Sequence, residues 1–318
     1  MSPSEDQRAW LGVGLGLRGP HLRPLLDMAA SDSGDLPAVL ELTPSHFFAR
    51  PERLQGLIGR CEFVFHDVGA SLGTAEPLDL EHVDRVARLA ARVGARAYSE
   101  HLAMTRSPGG IELGHLVPIP RTGAQLALVR DKLRALRDAL ELPVSIELPT
   151  TTLALPPEPG SLSEAAFVHE LVDQSECGLH LDLENLWVDA HNALATGLEL
   201  GLDPSLARTP VRTELCEVLA RLDVEPAHAR LLASRLSSLP LEAVTRVHLA
   251  GGHLDSEGWA VDSHSAPAST GSLALLEALR DHIDPRAIIL ERDAELPALA
   301  ALLAELEGVE KIWQGERS

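Results

Sequence analysis

The feature that most constrains the fold is a regular alternation of short apolar runs with longer amphipathic stretches. Eight runs have the length and composition of strands: LGVGLGL (11–17), AVLEL (38–42), CEFVFHDV (61–68), RAYSEHL (96–102), PVSIEL (143–148), CGLHLDL (177–183), RVHLAG (246–251) and AIILERD (287–293). Between most of them the apolar residues recur at helical spacing. In TGAQLALVRDKLRALRDAL, Leu126, Val129, Leu133, Leu136 and Leu140 fall on one face. In DLEHVDRVARLAARVG, Val83, Val86, Leu89, Ala90 and Val93 form the stripe and Gly94 ends it. Further helices are expected near 163–175, 213–222, 226–238, 272–282 and 295–307.

Strand–helix alternation implies a parallel sheet, and eight such units close most economically into an α/β (β/α)8 TIM barrel. The expected organisation is one metal-binding domain over residues 1–318. Residues 195–245, too long for a simple connection, form an inserted helical segment before the seventh strand, and residues 1–10 form a flexible tail. An open doubly wound sheet is the alternative. It is disfavoured because no GxGxxG follows a strand, and the glycines of LGVGLGLRGP alternate within the strand itself.

The strand ends carry the chemistry. Glu41 closes the second strand, His66 the third, Glu100 and His101 the fourth, Glu147 the fifth, Asp182 the sixth, His248 the seventh, and Glu291 with Asp293 the eighth. A loop after the seventh, VDSHSAP, adds Asp262 and His264. In a barrel these ends converge on one face. Unpaired buried carboxylates cost several kcal/mol, and only Arg18, Arg106 and Arg292 sit close enough to strand ends to compensate. Metal ions solve the problem better. A mixed imidazole and carboxylate set suits Fe, Mn or Zn, and about nine potential ligands exceed the four to six that one ion takes, so two or three ions are expected. In HLDLENLWVDAHN, strand alternation would put His180, Asp182 and Glu184 on the inward face. His82, His115, His169, His228 and His282 read as surface or hydrogen-bonded structural histidines.

The net charge of −20, from 47 acidic and 27 basic residues, argues against a nucleic-acid partner. Cys61, Cys177 and Cys216 have no CxxC spacing and form no disulfide framework, which fits a cytoplasmic setting. The N-terminal MSPSEDQRAW lacks the organisation of a signal peptide, and no apolar run approaches the ~20 residues that span a bilayer, so no membrane partner is expected.

These motifs resemble, in matching order over nearly the whole chain, the multinuclear non-haem iron-dependent oxidases, a family that includes the oxidase of methanobactin biosynthesis. FHDVGASLG resembles the family's His-Gly-x-x-Leu-Ser-Leu-Gly segment, and SEHL its Ser-Glu/Asp-His-Leu. IELPTTTL is similar to Glu-Asn-Pro-Ser-Ser-Tyr-Leu, and LDLENLWVDAHN to Leu-Asp-Val-Asn-Asn-Val-Tyr-Val-x-Ala. RVHLAGGH, VDSHSAP and LERDAELP resemble Ile-His-Leu-Ala-Gly-His, Ile-Asp-Thr-His-x-x-Pro and Glu-x-Asp-x-x-Ile-Pro. The resemblance implies a (β/α)8 fold with two or three iron ions on His66, His101, Glu147, Asp182, Asn185, His248, Asp262, His264 and Glu291. Glu147 and Asp182 would bridge ions, while Asp293 and His253 would orient ligands or shuttle protons. It also implies an iron enzyme that uses dioxygen to modify residues, often cysteines, of a ribosomally made peptide, acting with a small leader-recognition partner protein.

The chain departs from that pattern at Leu148, where the family has Asn, and at Glu184, where it has the first Asn of a pair. Ala193 replaces a His, with His191 two residues earlier, and an extra glycine moves His253 by one place. Two other readings stay open at this stage. One is a divalent-metal isomerase or hydrolase resembling the sugar-isomerase and apurinic-endonuclease barrels; the other is a divergent member that binds metal without turnover.

Overall fold

The computed structural model describes residues 9–31, 35–151, 155–156, 158–197, 205–222 and 224–315. Among the described residues, twelve strands run in chain order: β1 (Gly12–Gly16), β2 (Val39–Leu42), β3 (Glu62–Asp67), β4 (Tyr98–His101), β5 (Met104–Arg106), β6 (Glu112–Val117), β7 (Val144–Glu147), β8 (Gly178–Asp182), β9 (Val244–Leu249), β10 (Gly251–Leu254), β11 (Ala260–Ala266) and β12 (Ala287–Leu290). The helices are α1 (Gly19–Ser31), α2 (Leu80–Val93), α3 (Gly123–Leu140), α4 (Glu164–Ser175), α5 (Leu183–Thr196), α6 (Thr209–Leu219), α7 (Pro226–Ser238), α8 (Thr270–Leu279) and α9 (Leu299–Gln314). Eight strands close into a parallel barrel in the order β1-β12-β9-β8-β7-β4-β3-β2. Closure by the β1–β12 pair, Gly12 opposite Ala287 through Leu15 opposite Leu290, excludes the open sheet.

Side-chain alternation divides the barrel into an apolar outside and a polar inside. Leu40, Phe63, Phe65, Tyr98, Ile146, Leu179, Leu181, Val247 and Leu290 belong to the main core that packs against the helices. Val39, Val64, Ala97, Ala287 and Ile289 form a separate small cluster. The alternate positions that follow these inner residues towards the strand ends are Glu41, His66, Ser99 and Glu291. β1 contributes no polar ligand because its alternate positions are glycines. A Cβ at Gly14 would overlap the Val39 carbonyl, and one at Gly16 would come within 2.9 Å of the Arg18 guanidinium. The space at the end of β1 is taken by Arg18 instead.

The helices follow their sequence stripes. α2 buries Val83, Val86, Leu89, Ala90 and Val93, starts on an Asp79 cap and stops at Gly94 with φ 71°. The expected insertion contains α6 and α7, and residues 198–204 and 223 of it lie outside the described residues. Of the expected tail, residues 1–8 lie outside them too, while Trp10 stacks on Trp313 of α9 with ring centroids 5.9 Å apart.

Three local expectations are corrected. The sixth run does not stay extended through Leu183: Asp182 caps α5 by accepting from Asn185 N, so Glu184 stands on a helix rather than on the inward strand face. The seventh run breaks after Leu249, and Gly251–Leu254 turns back to pair with β11. VDSHSAP is therefore strand, not loop, consistent with its polar alternation of Asp262 and His264. A second hairpin, β5–β6, stands after β4.

Candidate metal centre

Glu147, at the end of β7, is the hub of the site. Its Oε2 lies 3.3 Å from His66 Nε2, 3.5 Å from His180 Nδ1 and 3.6 Å from His248 Nδ1. Its Oε1 faces His101 Nε2 at 3.7 Å and accepts from Asn185 Nδ2 at 3.2 Å. A second group adjoins it. Asp182 Oδ2 is 3.8 Å from His248 Nδ1 and 3.9 Å from His264 Nε2. Glu291 Oε2 is 3.0 Å from His248 Nδ1 and 3.2 Å from His264 Nδ1, and Asp262 Oδ1 is 2.6 Å from His264 Nε2. His66 with Glu147 and His180, Glu147 with Asp182 and His248, and Asp182 with His264 and Glu291 each bring three ligand atoms within 4.8 Å of one another.

Residues behind these rings decide which atoms face inward. Glu41 Oε1 accepts from His248 Nε2 at 2.7 Å, which leaves the Nδ1 lone pair aimed at the carboxylates. Ser99 Oγ donates to the Phe65 carbonyl and sits 2.8 Å from His66 Nδ1 and 3.1 Å from His180 Nδ1. A Ser99 hydroxyl that gives its proton to the Phe65 carbonyl would accept Nδ1–H from both rings and leave their lone pairs on Nε2. Arg18 Nη2 donates to Glu291 Oε1 at 2.8 Å and Arg18 Nε to Asp293 Oδ1 at 2.7 Å, so only Glu291 Oε2 turns into the site. Glu100, pointing outward, accepts from His101 N and Ala70 N and stands 3.8 Å from His101 Nδ1.

The result is a set of buried atoms without hydrogen-bond partners among the described residues: Glu147 Oε2, His180 Nε2, Asp182 Oδ2, Asn185 Oδ1, His248 Nδ1, Asp262 Oδ1 and both ring nitrogens of His264. Buried polar groups are ordinarily paired, so this many orphans facing one another call for a cation or for protons between them. The titration directions express that pressure. Burial pushes the Glu147 and Asp182 carboxyls up. Burial, with neighbouring imidazoles, drives His66 and His180 far below their ordinary value. Burial opposes charge on His248, but Glu41 and Glu291 outweigh it and raise its pKa well above normal. His264 is likewise raised against burial by Glu291, Asp262 and Asp293. Glu291, which burial alone would raise, is held far below the usual range by His248 and His264. A bound cation would take the place of the protons that these pairs otherwise demand. The donor set of imidazoles, carboxylates and one amide fits a divalent first-row metal.

All nine residues assigned to metal from the resemblance, His66, His101, Glu147, Asp182, Asn185, His248, Asp262, His264 and Glu291, fall within this one constellation. Asp293 lies at its rim, half-exposed, 3.5 Å from His264 Nδ1. His253 stands exposed on β10 and its Nδ1 bonds to Ser263 Oγ at 3.0 Å. His264 adopts a left-handed φ of 46°, a strained conformation that its surroundings must enforce. Ser99 had no assigned role; Glu41 was visible only as a strand-end carboxylate, and Arg18 only as a cation near enough to compensate one. Leu102 and Leu148, which directly follow His101 and Glu147, line a cavity of about 100 Å³ with Ile119 and Phe167. His82, His169, His228 and His282 bond to Asp67, Ser238, Trp187 and Glu214, as structural histidines do.

A family model described as RiPP precursor modification enzyme MbnB/TglH/ChrH matches residues 12–200 and 227–314. RiPPs are ribosomally synthesised and post-translationally modified peptides. The residues between the two matched parts fall inside the inserted segment. The UPF0276 protein of Chromobacterium violaceum is 30% identical over 310 residues, covering 96% of this chain and 96% of its own. A UPF0276 protein of Caulobacter vibrioides is 28% identical over 310 residues, covering 96% of this chain and 95% of its own. Among solved structures, a xylose isomerase domain protein from Alicyclobacillus acidocaldarius superposes with a TM-score of 0.55 at 14% identity, covering 96% of this chain and 99% of that one. A 3-keto-D-glucoside 4-epimerase from E. coli superposes with a TM-score of 0.50 at 15% identity, covering 94% and 99%. At such identities the structural likeness is one of fold alone.

Proposed function

The chain belongs to the family of RiPP precursor modification enzymes described as MbnB/TglH/ChrH, and from that membership we propose that it is a multinuclear iron-dependent oxidase that uses dioxygen to modify cysteines of a ribosomally made peptide. The observation that carries the metal part of this reading is the convergence of buried, unpartnered ligand atoms around Glu147, Asp182 and His248.

In this reading His66, His101 and Glu147 would hold one iron, and Asp182, Asp262, His264 and Glu291 would hold another. His248 and Asn185 stand between the two groups. When bound, iron supplies one-electron redox chemistry and Lewis acidity towards dioxygen and a substrate thiolate. The protein's own residues do the rest. Glu147 presents its two oxygens to different imidazoles, Oε1 to His101 and Oε2 to His66 and His248, and would hold metal beside both groups. Asp182 uses Oδ1 to cap α5 and keeps Oδ2 for the centre. Asp293, anchored by Arg18 beside His264, is at the rim where a proton must pass between the site and solvent. His253, exposed on the hairpin, would meet only substrate arriving at the mouth. Leu102 and Leu148, next in the chain to His101 and Glu147, line a cavity that would offer a substrate side chain apolar surface. A small partner protein would present the peptide leader. No helix among the described residues is long and apolar enough to cross a membrane.

The test is dioxygen uptake by anaerobically Fe(II)-loaded protein given a cysteine-containing precursor peptide, read together with the mass of the peptide. Uptake coupled to a mass change at cysteine supports the oxidase. Turnover of a sugar without dioxygen uptake would replace it with an isomerase.

A further inference from the structure

Two polar residues of the HLDLENLWVDAHN motif, Glu184 and His191, take no part in the metal centre. With Asn192 they lie on one side of α5, at helical positions i, i+7 and i+8. All three reach the β10–β11 hairpin. Glu184 Oε1 accepts from Gly252 N at 3.1 Å, at the start of the hairpin. His191 Nε2 donates to the Gly258 carbonyl at 3.0 Å, at its tip. Asn192 grips Ala260, the first residue of β11, with both ends of its amide: Nδ2 donates to the carbonyl at 2.9 Å and Oδ1 accepts from the N–H at 2.9 Å. That side chain occupies the place of a neighbouring strand. Glu184 Oε2 also accepts from Ser269 Oγ at 2.6 Å, and Ser269 caps α8, so the far end of the hairpin is tied to the same carboxylate.

This hairpin needs such a support. A two-stranded ribbon is marginal by itself, and every residue of β11 is only partly buried. Yet β11 carries Asp262 and His264, two and four residues beyond Ala260 and on one side of the strand. It also holds His264 at a left-handed φ of 46°. α5 begins at Asp182, whose Oδ2 faces His264 Nε2. One helix therefore carries two candidate ligands, Asp182 at its cap and Asn185 in its first turn, and touches the strand that brings two more.

We propose that Glu184, His191 and Asn192 form a clamp that holds the β10–β11 hairpin over the centre, and that they are positioning residues for Asp262 and His264. The consequence for metal rests on the iron reading above; the clamp itself does not. Glu184, which stands where the resembled family pattern has Asn, and His191 thereby serve the hairpin rather than the chemistry.

The experiment compares the full-length wild type with Asn192→Ala, Glu184→Ala and Glu184→Gln, by hydrogen exchange and by anaerobic Fe(II) titration. Asn192→Ala is the milder change, since Asn192 is only half-buried, and keeps the test open should Glu184→Ala fold poorly. Peptides spanning 258–266 should exchange about tenfold faster or more in both alanine variants, while β3 and β7 keep wild-type rates. One iron equivalent should weaken by about 10–100-fold, the usual effect of losing a ligand's supporting partner. Glu184→Gln, which keeps an acceptor for Gly252 N, should restore both. Wild-type exchange at 258–266 in the alanine variants overturns the clamp. Faster exchange with unchanged iron binding overturns the positioning role. If the wild type itself takes up no iron, the proposed function fails, and the exchange data still decide the clamp.

Discussion

Replacing Glu147 by Gln separates what the centre costs the empty protein from what it gives the loaded one. Glu147 is 2% exposed, its Oε2 has no hydrogen-bond partner among the described residues, and burial raises its pKa. An unsatisfied buried polar atom costs about 1–3 kcal/mol, and Gln keeps the volume while removing the ionisable group. Above about pH 9, where the His101 charge that Glu147 supports is gone, the metal-stripped Glu147→Gln protein should therefore be at least as stable as the stripped wild type. The loaded proteins should differ in the opposite sense. Metal at one hundred times its Kd stabilises the native state by about 2.7 kcal/mol. With an unfolding entropy of about 2.1 cal/mol/K per residue, 318 residues give about 0.67 kcal/mol/K, so the wild type should gain about 4 °C in Tm on loading. Differential scanning calorimetry of chelator-stripped and anaerobically Fe(II)-loaded protein reads both numbers. Glu147→Gln should lose most of the gain. Retention of the full gain would show that Glu147 is not a ligand, and a stripped variant melting several degrees below stripped wild type above that pH would refute the argument from burial.

Glu41→Ala should destabilise the stripped protein by about 3–5 kcal/mol in urea unfolding, because it strands the fully buried Arg246 guanidinium that Glu41 pairs at 2.9 Å. The double variant Glu41→Ala/Arg246→Met should recover most of that loss. Arg18→Ala frees Glu291 and Asp293 and should weaken metal retention against a chelator by about 10–100-fold, with Arg18→Lys intermediate. His101 gives a pH dependence: burial opposes its protonation, but Glu147 and Glu100 raise its pKa from 6.5 to about 9. A raised folded-state pKa contributes stability that is complete below pH 6.5 and lost as the pH climbs through about 9. The urea midpoint of the stripped protein should fall across that window, and His101→Gln should flatten the slope.

The barrel was legible because its signals are local. Strand alternation in CEFVFHDV and SIEL, and the stripes of α2 and α3, each declare a buried face within a dozen residues. The site was legible for a related reason: a closed parallel barrel converts strand-end position into proximity, so His66, Glu147, Asp182 and Glu291 could be grouped without any contact being known. The start of α5 was harder. Asp182 serves two elements at once, ending β8 and capping the helix, and apolar leucines continue on both sides of it, so strand spacing misassigned Glu184. The β10–β11 hairpin was hidden because its strands are half-exposed and carry little apolar pattern. Glu41, Ser99 and Arg18 act across the barrel, on partners as far as 275 positions away in the chain, and nothing near them in sequence indicates which imidazole or carboxylate they meet.

The central claim is that the buried ligand set holds iron. Elemental analysis after anaerobic Fe(II) loading and desalting tests it most directly. Two or three equivalents of iron per chain are expected, falling in Asp182→Ala. Protein that stays free of iron after loading would contradict it.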